Sequence, residues 1–242
     1  MISLSRLSRS AVVGGNKSQR GFTLVELAIV LVIIGLVLAA VLKGQELIVS
    51  ARLKTTISEV DGVRAATETF RDKYGALPGD YAQAQARVGD PAGVTWAAVG
   101  DGNGVIDGDG IAAPAAGEET VLYWNQLAAA DMLAGVSPLG AGTIGDGLPS
   151  MPVGGGLTIR NELVINKTAH WLTLGSAATT PTGVVNGEQA FLIDEKADDG
   201  RPGTGGIRTT TLACTDSTTT ISATTAYDID PAITGCVLKF SL

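Results

Sequence analysis

Two acidic, glycine-rich segments carry the side chains best suited to bind a cation. In the first, GDGNGVIDGDG, the oxygen-bearing side chains are Asp101, Asn103, Asp107 and Asp109. In the second, IDEKADDGRPGTGG, they are Asp194, Glu195, Asp198 and Asp199. Such hard oxygen ligands, on a backbone that glycine allows to curl around an ion, predict calcium as a possible cofactor. Asp-Gly turns also form without a metal, so that alternative stays open for both segments.

Other residue types that support chemistry are scarce. The chain has 1 histidine, His170, so neither a His-rich metal site nor a Ser-His-Asp triad is expected. Without a nucleophile, a base and an orienting group to assemble, no enzymatic activity is expected. The 2 cysteines, Cys214 and Cys236, are expected to form a disulfide if this part of the chain is exported. Buried free thiols are the alternative.

Charge is unevenly placed along the chain. The formal net charge is −7, yet the residues before Gly21 include several bases and no acid. Those bases are Arg6, Arg9, Lys17 and Arg20. The remainder is therefore strongly acidic and repels polyanions, so no nucleic-acid partner is expected.

One segment is apolar enough to cross a membrane. Residues 22–42 contain a single ionisable side chain, Glu26, and as a helix they cover the ~30 Å hydrocarbon core. The bases before this segment place the amino terminus in the cytoplasm and the acidic remainder outside. A plain signal anchor would satisfy this pattern. Glu26 indicates a role beyond anchoring. Inserting an unpartnered carboxylate into the membrane within an apolar helix costs roughly 3 kcal/mol, so such a residue usually marks function.

The residues around Glu26 carry a family resemblance. RGFTLVEL resembles the type IV prepilin cleavage and methylation motif: a basic leader ends at Gly21, Phe22 follows the scissile bond, and Glu26 is the fifth residue after the cut. The resemblance implies a leader peptide over residues 1–21. In this family prepilin peptidase, an intramembrane aspartyl peptidase, cuts after the glycine on the cytoplasmic side and methylates the new amino group.

That resemblance also implies partners. The amino group freed at Phe22 is positively charged near neutral pH and would pair with Glu26 of a neighbouring subunit. Self-assembly, other pilins and an inner-membrane assembly platform are the expected partners, besides the peptidase. The precursor is expected in the bacterial inner membrane with its amino terminus inside, and the mature chain in the periplasm or in a cell-surface filament.

A helical pattern continues beyond the apolar segment. Residues 43–74 contain no proline, and apolar side chains recur on one helical face at Ile57, Val60, Val63, Phe70 and Tyr74. One helix from Phe22 to about Tyr74 is therefore predicted. Residues 43–74, the outer half of this helix, need a surface to pack against. The resemblance to type IV pilins implies that this half packs on a globular head, which gives the lollipop shape of that family.

Residues 75–242 are expected to form one globular α+β head with an antiparallel sheet. Asp80 is expected to cap a short helix that ends near Arg87. Residues 118–134 are predicted to form a second helix, with a core face of Leu122, Trp124, Leu127 and Leu133. The predicted strands cover 156–166, 170–175, 189–194, 207–214, 218–226 and 236–240.

These patterns favour a structural subunit of a type IV pilus or pilus-like filament, processed after Gly21 and assembled through its amino-terminal helix. Two alternatives stay open. One is a type II secretion pseudopilin. The other is a minor or tip pilin with an adhesive role, in which threonine-rich loops provide the binding surface.

Overall fold

The computed structural model describes residues 22–88, 100–108, 118–138, 142–176, 182–230 and 232–242. The predicted leader, with Gly21, lies outside the described residues, and so does Asp109. The chain divides into two compact units, Met1–Glu46 and Leu47–Leu242.

The long helix α1 runs from Leu24 to Tyr74, close to both predicted ends. In the first unit its apolar side chains are exposed, and none of its most apolar 18-residue window is buried. The mean hydropathy of that window is 3.1, which qualifies it as a candidate membrane span. Exposed apolar surface in water costs about 25 cal/mol per Å². This part of α1 therefore requires lipid or other apolar surface around it.

Within the second unit, α1 presents a buried stripe to the core, as predicted. Leu53, Val60, Val63 and Phe70 are almost fully buried, and Ile57 packs beside them. Their spacing of three, four and seven residues keeps them on one helical face.

A polar contact adds to this packing. The Arg64 guanidinium donates to the carbonyl oxygen of Ser241 from Nε at 3.1 Å and from Nη2 at 2.9 Å. The part of α1 in the second unit is thus hydrogen-bonded to Ser241, 177 positions later in the sequence.

Three shorter helices follow: α2, Ala84–Arg87; α3, Glu119–Ala129; and α4, Gly187–Ala197. A 3₁₀ turn spans Leu212–Cys214. Leu122, Trp124 and Leu127 of the core face predicted for α3 are buried. Leu133 is not part of that face, because α3 ends at Ala129 and Asp131 has a positive φ; Leu133 packs partly buried against the core. The prediction for Asp80 is wrong: α2 begins after Gln83, and the Asp80 carboxylate binds a loop elsewhere.

The predicted antiparallel sheet is confirmed. Its strands are β3, Gly156–Val164; β4, Lys167–Gly175; β5, Ile207–Thr209; and β6, Leu238–Ser241. They lie in the order β3-β4-β6-β5, with all neighbours antiparallel. A separate two-residue pair joins β1, Thr143–Ile144, to β2, Gly147–Leu148. The inner face of the main sheet, with Leu157, Leu172 and Phe240, forms the core together with α1 and α3.

The strand predicted over 189–194 is wrong, because those residues lie in α4. Asn186 accepts from the Gln189 N–H, and the Gln189 side chain accepts from the Asn186 N–H, which is a complete capping box. A short apolar run such as QAFLID does not by itself distinguish a strand from a buried helix face.

Two further strand predictions fail in the threonine-rich region. The run from 207 is a strand only through Thr209, and no strand forms over 218–226. There the Ser217 hydroxyl donates to the Thr220 carbonyl, and Thr225 Oγ1 accepts from the Ser222 N–H. Such local bonds compete with strand ladders for the backbone.

The predicted disulfide is confirmed: the Sγ atoms of Cys214 and Cys236 lie 2.09 Å apart, and both residues are fully buried. The bond closes a loop of 22 positions that carries most of the threonine-rich segment. A cross-link of this kind restricts the unfolded chain and fixes the loop against the end of the sheet.

Replacing both cysteines, Cys214→Ser with Cys236→Ser, is expected to lower the free energy of unfolding by about 3 kcal/mol, because the unfolded chain regains loop entropy. Thermal unfolding of the full chain in detergent would measure it, with chemically reduced wild type as the matched comparison. An unchanged melting temperature in both samples would contradict the prediction.

Candidate functional site

Thr23 and Glu26 form a capping box at the start of α1. The Glu26 N–H donates to Thr23 Oγ1 at 3.2 Å. In return, Glu26 Oε2 accepts from the Thr23 N–H at 2.9 Å and from its hydroxyl at 3.0 Å. These reciprocal bonds satisfy donors that a helix otherwise leaves free at its amino end. Glu26 therefore has a partner within its own chain, which the sequence analysis did not anticipate.

Phe22 lies beside this capping box and is 81% exposed. Glu26 is exposed as well. The carboxylate also lies at the positive end of the α1 dipole, where negative charge is stabilised. The two predicted assembly residues are thus close in sequence, at the tip of an apolar helix, and accessible to a second molecule.

In the second unit, a buried carboxylate organises the first acidic segment. Asp80, 2% exposed, follows the end of α1 by six residues. Its Oδ1 accepts from the N–H groups of Gly102 and Asn103 at 2.7 and 3.0 Å, and its Oδ2 accepts from Gly104 at 2.8 Å. Three such bonds to one carboxylate fix the loop backbone around it.

Glu119 holds the same loop from the first turn of α3. Its two oxygens accept from the Asp101 N–H at 3.0 Å and from the Asp107 N–H at 2.7 Å. Burial raises the pKa of Glu119, and the nearby Asp80 and Asp101 carboxylates act in the same direction. The loop is therefore closed at both ends by carboxylates that lie outside it in sequence.

These contacts change the membership of the predicted cation site. Carboxylate oxygens of Asp80, Asp101 and Glu119 lie within 4.8 Å of one another, a spacing that calcium ligands can adopt. Asn103 instead donates from Nδ2 to Asp101 at 2.9 Å and to Asp107 at 3.2 Å. Sequence reasoning missed Asp80 and Glu119, because only folding brings them to the loop.

In the second acidic segment, oxygens of Asp194, Asp198 and Asp199 lie within 4.8 Å of one another. Glu195, also expected there, is exposed and is not part of this group. Asp198 Oδ2 accepts from the Ile207 N–H at 2.8 Å, and Asp199 Oδ1 accepts from the Arg201 N–H at 2.9 Å. Gly205 allows the turn to close: its φ is +68°, and a Cβ there would lie 1.9 Å from Asp198 Oδ2. Calcium binding at either cluster stays a prediction.

Asp194 is the buried member of this second cluster. It is fully buried, and its Oδ2 accepts from the Tyr227 hydroxyl at 2.8 Å. Burial raises the pKa of Asp194 to about 7, and the charges of Asp199 and Asp198 add to the rise. The carboxyl group thus changes its protonation near neutral pH.

The single histidine has a structural contact. His170 Nε2 accepts from the Ile106 N–H at 3.1 Å, so β4 supports the first acidic loop. Burial lowers the pKa of His170, which favours the neutral ring that this acceptor bond requires.

Asp194→Asn is expected to change the pH dependence of stability. Because the folded pKa is raised above the ordinary value of 3.8, the folded chain binds the extra proton, and the free energy of unfolding falls as pH rises from about 4 to 7. The variant has no carboxyl to titrate in this range and should lose the fall, which is on the order of 2 kcal/mol.

Urea unfolding of the full chain at a series of pH values, with chelator present, would measure this difference. Glu195→Gln, an exposed neighbour in α4, is the matched control and should follow the wild type. Parallel curves for Asp194→Asn and the wild type would show that the buried carboxyl does not control the pH response.

Comparison with known proteins gives one match. Residues 16–42 match a family model described as the prokaryotic N-terminal methylation motif. The matched stretch contains Gly21, Phe22 and Glu26 and continues into the exposed apolar part of α1. Neither the curated proteins nor the solved structures give a match. Residues 16–42 therefore carry the prokaryotic N-terminal methylation motif, the hallmark of type IV pilins and pseudopilins.

Proposed function

We propose that the chain is the precursor of a structural subunit of a type IV pilus or pilus-like filament. One observation carries the proposal: the methylation motif continues directly into the apolar first part of α1, where none of the most apolar 18-residue window is buried. The motif supports a pilin-like or pseudopilin precursor in general. The helix adds a surface that is available for lateral packing with other subunits.

Processing is the first step of the proposed function. Prepilin peptidase cleaves between Gly21 and Phe22 and methylates the new amino group. A glycine before the scissile bond leaves the backbone unobstructed for a protease at the membrane surface. The precursor is then a single-pass inner-membrane protein held by α1, and the second unit lies on the outer side of the membrane.

Assembly follows through α1. Identical helices that pack head to tail form a non-closing, helical array, and burial of their apolar surface stabilises it. In that array the amino group of Phe22 pairs with Glu26 of a neighbouring subunit, in a setting where neither charge has water. The capping box supports this role, because Thr23 holds the carboxylate at the tip of the helix.

We also propose that the role is structural and not enzymatic. His170, the one histidine, already accepts a backbone hydrogen bond, and the carboxylates of Asp80 and Glu119 hold backbone N–H groups of a loop. These side chains support the fold. A type II secretion pseudopilin, or a minor or tip pilin with an adhesive role, is the alternative, and abundance in sheared filaments separates these from a main subunit.

Gly21→Arg is expected to block maturation, because a bulky side chain obstructs the bond to be cut. Intact mass spectrometry would show the wild type beginning at Phe22 and one methyl group heavier, and the variant retaining residues 1–21. Gly15→Arg, a leader glycine away from the cut, should mature normally. A wild-type chain that retains the leader in cells would refute the filament proposal.

Glu26→Ala is expected to leave cleavage intact and to reduce the chain recovered in sheared filaments at least tenfold, which is about 1.4 kcal/mol or more per contact. Glu46→Ala, an exposed glutamate farther along α1, is the matched control. Thr23→Val removes the capping hydroxyl and keeps Glu26. If Thr23→Val assembled as poorly as Glu26→Ala, capping alone would explain the defect and the intersubunit pair would be unnecessary.

A further inference from the structure

β3 is an edge strand, since β4 pairs with only one of its sides and the sheet order begins with β3. Near the start of β3 the free side is covered, because the Leu157 N–H donates to the Pro149 carbonyl at 3.2 Å. No such bond involves the residues from Ile159 to Leu163 within the described parts of the chain. As far as the described residues show, the free edge is therefore about five residues long, enough to pair with another strand.

Alternation along the strand identifies the backbone groups that face outward. The hairpin turn at Ile165 and Asn166 has positive φ at both positions, as in a type I′ turn, so Val164 and Lys167 form its closing hydrogen-bonded pair. Even-numbered residues of β3 thus bond to β4. The N–H and C=O groups of Ile159, Asn161 and Leu163 point away from it.

The side chains near this edge differ between its two faces. On the inner face, Leu163 is 68% exposed, whereas Ile159 is buried against the core. On the outer face, Arg160 and Glu162 lie side by side, with Arg160 Nη1 3.8 Å from Glu162 Oε2. Glu162 also pairs with Lys239 of β6. An exposed apolar side chain and a pair of opposite charges thus border unpaired backbone groups.

We propose that the free edge of β3 pairs with the β3 edge of a second copy of this chain, antiparallel and in the register centred on Asn161. In this register Asn161 meets Asn161 of the other copy, and Ile159 meets Leu163. The backbone N–H and C=O groups of all these residues point away from β4, so the residues form hydrogen-bonded pairs across the two copies. Leu163 is covered in the same step.

Charge complementarity selects the second copy as the occupant. Charged side chains normally protect a free edge, because like charges meet when two copies approach. In the register centred on Asn161, each Arg160 lies opposite Glu162 of the other copy, in non-hydrogen-bonded pairs whose side chains approach closely. The charges therefore attract in this register, while a shift by two residues would break both the ionic and the apolar pairs.

The symmetry of this contact determines how many chains it can bring together. Antiparallel pairing of identical edges is two-fold and closes after two copies, so it cannot propagate along a polar filament. It joins two chains whose heads are free, or heads that belong to different filaments. The inference rests on β3 alone and holds whether or not the chain matures at Gly21.

Cross-linking of the full chain in detergent tests the register. Cys214 and Cys236 are bonded to each other, so Asn161→Cys introduces the one free thiol. Directly opposite residues in a hydrogen-bonded pair have Cα atoms about 5.5 Å apart, within the disulfide range. Mild oxidation should convert Asn161→Cys into a covalent dimer. Thr168→Cys, exposed on β4 of the same hairpin, is the matched control and should stay monomeric.

Two additional changes test the contacts themselves. Adding Leu163→Lys or Arg160→Glu to Asn161→Cys should each reduce the dimer formed at least about fivefold, since each change alters two cross-strand pairs. Using chains that also carry Gly21→Arg keeps this test separate from maturation. No dimer from Asn161→Cys, equal dimer from Thr168→Cys, or cross-linking in membranes to a different protein would each overturn the proposal.

Discussion

The apolar surface of α1 cannot remain in water, and the rest of the molecule is arranged around that constraint. The first part of the helix exposes side chains such as Leu31 and Leu36, whereas the second part buries Leu53 and Phe70 in the core. One continuous helix thus has an exposed apolar part, which fits a membrane anchor, and a part that belongs to the core of the second unit.

The acidic character of the head has a structural use that composition alone does not reveal. The carboxylates of Asp80 and Glu119 accept hydrogen bonds from backbone N–H groups of one loop. Those of Asp198 and Asp199 accept such bonds from another turn. Charge-assisted hydrogen bonds of this kind are strong and hold irregular backbone in place. The glycine-rich residues 101–108 and 200–206 therefore have a defined backbone although they form neither helix nor strand.

Sequence reasoning succeeded where a pattern was long or chemically specific. The apolar periodicity of residues 43–74 predicts a helix, and the predicted ends of α1 at Phe22 and Tyr74 lie within two residues of the observed ones. The residues around Glu26 identify the motif, and the number of cysteines favours their pairing. It failed where the signal was short or distant. Local hydrogen bonds decided between helix, strand and loop in 189–194 and 218–226, and the joining of Asp80 to residues 102–104 depends on the whole fold.

The position of β6 orders the events by which the head forms. This strand follows the other three strands of the sheet in sequence, yet it lies between β4 and β5, and its Ser241 carbonyl accepts from Arg64 of α1. The four-stranded sheet cannot close until β6 has been synthesised. Folding of the second unit is therefore completed late, and a chain truncated before β6 would have its sheet divided, with β5 separated from β4.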